Sequence, residues 1–231
     1  VAIILITGAN KGLGREAARR LVQDGHDVWA AARDPERGRA AEEIGAQALV
    51  LDVTDDASVQ AAAQTVGEAT GGVLDVLVNN AGISGGRIPA AEVTAAQVQE
   101  VYDVNVLGPV RMLHAFLPLL ERSSSPVIVN VSSGLGSLAG AADVDAAYAS
   151  LIVPAYRSSK AALNMLTLQW ATAFPAMRVN AVDPGYTATD LNAHAGTQTV
   201  TEGTDAIVQM AGIGPDGPTG TFVSRDGQVP W

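Results

Sequence analysis

Cysteine is missing from the 231 residues, which excludes disulfides, thiolate metal sites and cysteine nucleophiles in one step. That absence fits a reducing compartment, and a cytoplasmic location is expected. Histidine is scarce too. Three scattered histidines with no cysteine beside them offer no ligand cluster, so no metal is expected. Positive charge is in deficit: 14 Lys and Arg face 24 Asp and Glu, a formal net charge of −10. A phosphate-backbone binder needs clustered cations, so nucleic acid is not an expected partner. No apolar run approaches the ~20 residues of a membrane helix, so no membrane is expected either. The chain starts inside an apolar strand, Val1 to Ile6, which leaves no room for a signal peptide within it. Linkers, internal repeats and low-complexity tracts are likewise missing.

What is present is alternation. Strand-like apolar runs at 2–6, 28–31, 48–51, 73–78, 127–131, 179–182 and 221–223 alternate with helical spacing at 13–22, 36–44, 57–69, 95–120, 155–173 and 205–211. Continuous apolar strands between helices predict a parallel sheet covered on both faces. A domain of this size buries roughly 70–75% of its unfolded surface, so one α/β domain over 1–231 needs no covalent staple. The expected sheet is doubly wound, seven-stranded and mostly parallel, with helices on both faces. Gly71-Gly72 and Gly85-Gly86 read as turns within it.

Thr7-Gly8-Ala9-Asn10-Lys11-Gly12-Leu13-Gly14 follows the first strand and opens the first helix. Glycines let the backbone approach a pyrophosphate, and a helix N-terminus offers free N–H groups and a positive dipole. Gly12-x-Gly14-x-x-Ala17 also satisfies the dinucleotide fingerprint, so the register is open while the ligand site is not. Gly8, Asn10, Lys11, Gly12, Leu13 and Gly14 are the candidate cofactor residues here. An NAD fold usually ends its second strand in Asp or Glu to bind the ribose 2′-hydroxyl. Here the strand ends Ala31-Ala32-Arg33. Arg33 can pair with a 2′-phosphate and Lys11 can reach the same group, so NADP(H) is expected over NAD(H), with Asp34 swinging in as the opposing reading. In Leu51-Asp52-Val53, at the end of the third strand, Asp52 either accepts from an adenine amine or caps the helix near Asp55. Val53 joins it as a cofactor candidate. Asn79-Asn80-Ala81-Gly82 ends the fourth strand; Asn80, Ala81 and Gly82 flank the cofactor, and Asn79 is given a structural role.

Tyr156 and Lys160 stand about one helical turn apart, so phenol and ammonium share a face. A nearby ammonium favours phenolate and draws a tyrosine pKa down from about 10. A tyrosine so poised can give or take a proton in carbonyl–alcohol interconversion. Tyr148 has Ile152 four residues on and gains no such partner.

With these segments in order, the chain resembles the short-chain dehydrogenase/reductase family, in its compact subgroup, along its full length. Residues 7–14 resemble that family's cofactor turn, and 79–82 its Asn-Asn-Ala-Gly segment. Asn105, in Asp103-Val104-Asn105-Val106, resembles its helix asparagine. Ser133 stands at the catalytic position of Val129-Asn130-Val131-Ser132-Ser133. Tyr156-Arg157-Ser158-Ser159-Lys160 matches Tyr-x-x-x-Lys, and Asp183-Pro184-Gly185 the Pro-Gly turn beside a nicotinamide. Arg33 and Lys11 further resemble the NADPH-using carbonyl reductases of the family. The resemblance implies a Rossmann fold and a mechanism. Tyr156 protonates the carbonyl oxygen as hydride arrives, and Ser133 hydrogen-bonds that oxygen. Lys160 lowers the Tyr156 pKa and binds the nicotinamide ribose, so Tyr156 and Lys160 also count as cofactor residues with Pro184, Gly185 and Thr187. Asn105 holds a water linking Lys160 to solvent, and Thr187 contacts the carboxamide.

Two alternatives stay open. Ser132 can be the exposed serine, since neighbouring strand residues face opposite ways. Asn105 can merely satisfy backbone groups within its helix. Ser133 and Tyr156 are also 23 positions apart, more than in compact relatives. The surplus, 134–154, is expected to form part of the substrate rim or to cover an assembly face. Leu135, Tyr148, Leu151 and Val153 are its candidate pocket residues. The helices at 95–120 and 155–173 resemble the family's assembly surfaces, which favours a homo-oligomer. Two rival functions remain. Gly82-Ile83-Ser84-Gly85-Gly86 matches the serine-hydrolase elbow by letters, but Arg87, Ile88 and Pro89 follow instead of a helix. A cofactor-binding sensor without turnover is the other. The expected function is hydride transfer between NADPH and a medium-sized, largely apolar small-molecule carbonyl or alcohol substrate.

Overall fold

The computed structural model of the protein describes residues 1–34, 41–143 and 150–231. The apolar runs become strands: β1 (Ile3–Ile6), β2 (Asp27–Ala32), β3 (Gln47–Val50), β4 (Val76–Asn79), β5 (Val127–Val131), β6 (Arg178–Val182) and β7 (Phe222–Ser224). These seven pair in parallel in the order β3-β2-β1-β4-β5-β6-β7. An eighth, β8 (Gly227–Gln228), turns back antiparallel on β7, so the expected count of seven is corrected to eight. Two residues with no apolar side chain give no periodic signal to find them by.

The helices are α1 (Gly12–Gln23), α2 (Asp56–Ala69), α3 (Ala95–Tyr102), α4 (Gly108–Leu120), α5 (Leu138–Ala142), α6 (Pro154–Ala173), α7 (Val200–Gly203) and α8 (Asp205–Ala211). The helix expected over 36–44 falls mostly outside the described residues. Alternation along β1 sorts the core into two layers. Ile4 and Ile6 pack with Ala17, Leu21, Ile207 and Met210 on the α1 and α8 side. Leu5 packs with Val66, Leu77, Met112, Phe116 and Ile128 on the α2 and α4 side. Each fully buried aliphatic or aromatic side chain contributes roughly 1.5–3 kcal/mol, and both faces of the sheet are covered, as expected.

The helix expected to run unbroken over 95–120 does not. A π turn, Asp103–Leu107, joins α3 to α4, and the Gly108 N–H donates to the Asp103 carbonyl five residues back. Pro109 is the cause the sequence supplies: it has no N–H to close an α-type bond on the Asn105 carbonyl. π turns of this kind recur at functional sites. The strands share a register that ends β1, β2, β4 and β5 at one edge, and the strand order reverses between β1 and β4. Ligands of open α/β sheets bind in the crevice at that switch point.

Candidate active site

The glycine turn leaves β1 at this edge. Thr7 ties it to the β4 loop: its hydroxyl accepts from the N–H groups of Asn80 and Ala81, each at 3.0 Å. The Asn80 amide donates to the carbonyls of Thr7 (2.8 Å) and Gly8 (3.2 Å). Gly8 has φ +63°, and a Cβ there would stand 3.0 Å from Ala81 Cα. A Cβ on Gly14 would collide with the Asn80 amide and stand 2.6 Å from the Gly8 carbonyl oxygen. The turn is thus a bare backbone cradle opening on the N-terminus of α1, whose N-cap Lys11 makes no side-chain cap. Farther along the edge, Gly185 has φ +69°, and the Gln198 amide fills the place of its missing Cβ. Gln198 Oε1 is buried without a hydrogen-bond partner, an acceptor free for the N–H of a carboxamide. Thr187 is buried, and its hydroxyl donates to the Pro184 carbonyl at 2.9 Å. Cradle and orphaned acceptor fit the pyrophosphate and the nicotinamide end of a nicotinamide dinucleotide.

The remaining cofactor candidates vary. Arg33 is exposed where β2 ends. Lys11 forms an ion pair with Asp190 at 2.6 Å, so the amine expected at a 2′-phosphate here bonds a carboxylate. Asp52 takes the N–H and hydroxyl of Thr54 at 2.9 and 2.7 Å. Burial of its carboxyl opposes ionisation, but the Thr54 bonds with the Arg33 and Arg111 charges hold its pKa low. The helix cap is Asp55, not Asp52. The Val53 carbonyl accepts from Arg111. Asn79 is buried and donates to Asn130 at 2.8 Å, a bond between strands.

Tyr156 and Lys160 lie on α6, and Ser133 leads out of β5. Ser132 is buried, and its hydroxyl donates to Asn164 and toward the Lys160 carbonyl. Ser133 is only half-buried and interacts with the Tyr156 phenol, so it is the serine that faces the site. Lys160 is 4% exposed; its amine donates to the Val131 carbonyl at 2.8 Å and stands 5.7 Å from the Tyr156 ring centre. Its pKa falls to about 8 through burial. Burial pushes the Tyr156 phenol up to about 12, with Ser133 pulling down and Asp183 pushing further up. The expectation of a phenol acidified by Lys160 is therefore corrected. Spacing set the two groups on one face, but the amine turns to a strand carbonyl and is itself disfavoured as a cation.

Asn105 sits in the π turn and is spent on neighbours outside it. Its Oδ1 accepts from the Ile83 N–H, and its Nδ2 donates to the Ile83 carbonyl and Ser159 hydroxyl, at 2.9, 2.9 and 3.0 Å. A Cβ on Gly82 would lie 3.3 Å from Asn105 Oδ1 and 3.6 Å from Lys160 Nζ, so both groups lie under that glycine. The insert docks at its ends: Arg157 donates to the carbonyls of Leu135 (3.2 Å) and Leu151 (3.1 Å), and the Ala139 N–H to the Trp231 carbonyl at 2.9 Å. Val153 lines a cleft beside Tyr156. Tyr148 lies outside the described residues. Thr189 and Asp190, not anticipated from sequence, lie over the glycine turn, Thr189 Cγ2 3.7 Å from a Cβ on Gly12. They follow the Pro-Gly turn closely, which is the signal that could have found them.

The hydrolase reading loses its base. Among the described residues Ser84 has no histidine partner: His26 accepts from the Ala2 N–H, His194 pairs with Asp190, and His114 is exposed. The described residues hold no cluster of metal-binding side chains and no helix long and apolar enough to cross a membrane.

These features define a class, and comparison with known proteins gives it a family. The short chain dehydrogenase family model matches residues 2–199, and the chain belongs to that family. It is 35% identical to the (+)-neomenthol dehydrogenase of Arabidopsis thaliana, covering 96% of this chain and 95% of that protein. It is 33% identical to the (−)-isopiperitenone reductase of Mentha piperita, over 96% of each. The NADPH-bound carbonyl reductase from chicken fatty liver superposes with a TM-score of 0.89 at 30% identity, covering 100% of this chain and 99% of that one.

Proposed function

We propose that the protein is an NADP(H)-dependent oxidoreductase that reduces the carbonyl group of a medium-sized, largely apolar ketone or aldehyde. One observation carries the reading: Tyr156 and Ser133 meet at the strand edge that also bears the glycine cradle, with the Lys160 amine one helical turn below. NADPH, when bound, supplies hydride from C4 of the nicotinamide. The cradle at Gly8–Gly14 would hold the phosphates, exposed Arg33 would pair with the 2′-phosphate, and Gln198 with the Pro184-Gly185 turn would orient the ring. The NADPH-bound carbonyl reductase at 30% identity supports this choice of cofactor.

Tyr156 is the acid of the reduction. A phenol pushed up to about 12 is protonated at neutral pH and can donate to the oxygen of a carbonyl under reduction, taking the proton back when an alcohol is oxidised. Ser133 donates to the same oxygen and stabilises its growing charge. Lys160 replaces the proton through its amine, and Asn105 positions the loop that covers it. The neomenthol and isopiperitenone relatives support an alicyclic substrate. Exposed Leu107, Val110 and Met165, at the helices expected to be assembly surfaces, support a homo-oligomer.

The test is Tyr156→Phe, followed by NADPH absorbance over a panel of cyclic ketones. Turnover should fall by about 10²–10⁴-fold, the usual worth of a positioned acid. Undiminished turnover refutes the mechanism. NADPH binding without turnover in the wild type would leave a sensor of the same fold.

A further inference from the structure

Ser84 carries the serine-hydrolase letters and has no base, yet it lines the cleft beside Tyr156. The cleft is walled by two loops, one after β4 and one leading into α6. Its apolar lining comes from Ile88, Val93 and Val153. Gly85 and Gly86 have φ +69° and +77°, and a Cβ on Gly85 would stand 2.5 Å from a Val101 methyl, so the floor stays bare backbone. Against this lining stand, besides Tyr156, two polar side chains, Ser84 and Gln97.

Both have hydrogens to spare. The Ser84 hydroxyl accepts from the Gly86 N–H at 3.3 Å, which uses a lone pair and leaves its own O–H to donate. Gln97 closes the capping box of α3: its Oε1 accepts from the Thr94 N–H at 2.8 Å and the Thr94 hydroxyl at 3.0 Å. The cap fixes the amide and leaves both Nε2 hydrogens uncommitted. Among the described lining residues, Tyr156 is the one titratable group. Two neutral donors against an apolar lining suit an oxygen acceptor set into an apolar frame.

We propose that Ser84 and Gln97 form a donor subsite that recognises a second oxygen on the substrate, apart from the carbonyl that reacts. The substrate class is then an oxygenated alicyclic ketone, a diketone or hydroxyketone, in preference to a hydrocarbon ketone. The assignment deepens the reductase reading and rests on it. Ser84 thereby acquires a role that needs no histidine.

The experiment compares kcat/KM for cyclohexanone and cyclohexane-1,4-dione in the wild type, Ser84→Ala and Gln97→Glu. Gln97→Glu keeps the acceptor that the capping box needs and exchanges the donor for a charged acceptor. The wild type should favour the dione by about tenfold, and each variant should lose most of that preference, Gln97→Glu the more. Dissociation constants of both ketones for NADPH-loaded Tyr156→Phe, with and without Ser84→Ala, should show the same loss without chemistry. A wild type that reduces both ketones equally, or variants that keep the preference, overturn the subsite and leave the reductase standing. A wild type that reduces no ketone overturns the reductase reading, and the subsite falls with it.

Discussion

Lys160 stands almost wholly inside the protein with its amine on the Val131 carbonyl, and burial lowers its pKa from 10.5 to about 8. The unfolded chain keeps that proton to its ordinary value, so between the two the unfolded state binds more protons than the folded one. Stability therefore rises with pH across the window from about 8 to about 10.5. Tyr156 acts the other way. Its phenol keeps a proton to about 12 when folded but loses it near 10.0 when unfolded, so its contribution falls above pH 10. The interval from pH 8 to 10 isolates Lys160, and Lys11 is the one other lysine in the sequence. Urea midpoints at pH 8, 9 and 10 should climb in the wild type relative to Lys160→Met; parallel curves would refute the burial of this amine. Spacing made the pair legible in the sequence. The direction of the shifts was not, because a four-residue interval reports a shared face and says nothing about depth.

Between residue and fold, α6 and the Gly134–Gly136 turn act as one unit. A Cβ on Gly136 would stand 2.7 Å from both the Lys160 carbonyl carbon and Cβ, so the glycine lets the turn press against the helix at the lysine itself. Gly136→Ala should cost about 1–3 kcal/mol in chemical denaturation, the usual range for overfilling a packed contact. It should also depress turnover, because the displaced group is Lys160. A variant with wild-type stability and turnover would contradict that packing. The helical stretch over 95–120 shows what a pattern hides at this scale. Apolar spacing persists on both sides of the π turn, so periodicity read one helix, while the interruption was written in Pro109. The short α5 and α7 escaped for another reason: five and four residues span too few turns for a period to show.

At the scale of the molecule, a parallel sheet covered on both faces was legible in the alternation of runs, but the closure of the segment after β6 over α1 was not. Lys11 and Asp190 are 179 residues apart in sequence, and nothing local in either marks the other as a partner. Arg20 donates to the Thr201 carbonyl, Thr204 and Asp205, and Thr201 donates to Glu16, so the segment after β6 is tied to α1 at two separate places. Lys11 and Asp190 are each more than half exposed, and His194 also pairs with Asp190 at 2.8 Å. Exposed pairs contribute at most about 1 kcal/mol and weaken with salt. Asp190→Asn should therefore speed hydrogen exchange by no more than roughly fivefold at the amides that close this segment. Those amides are Ala188, His194, Thr197 and Gln198, each bonded to a carbonyl within it. The Arg20 contacts survive the substitution, so residues 201–205 should keep their protection. High salt should reproduce the effect in the wild type and add little in the variant. Faster exchange across the whole chain, or none within the segment, would show that this ion pair does not hold it.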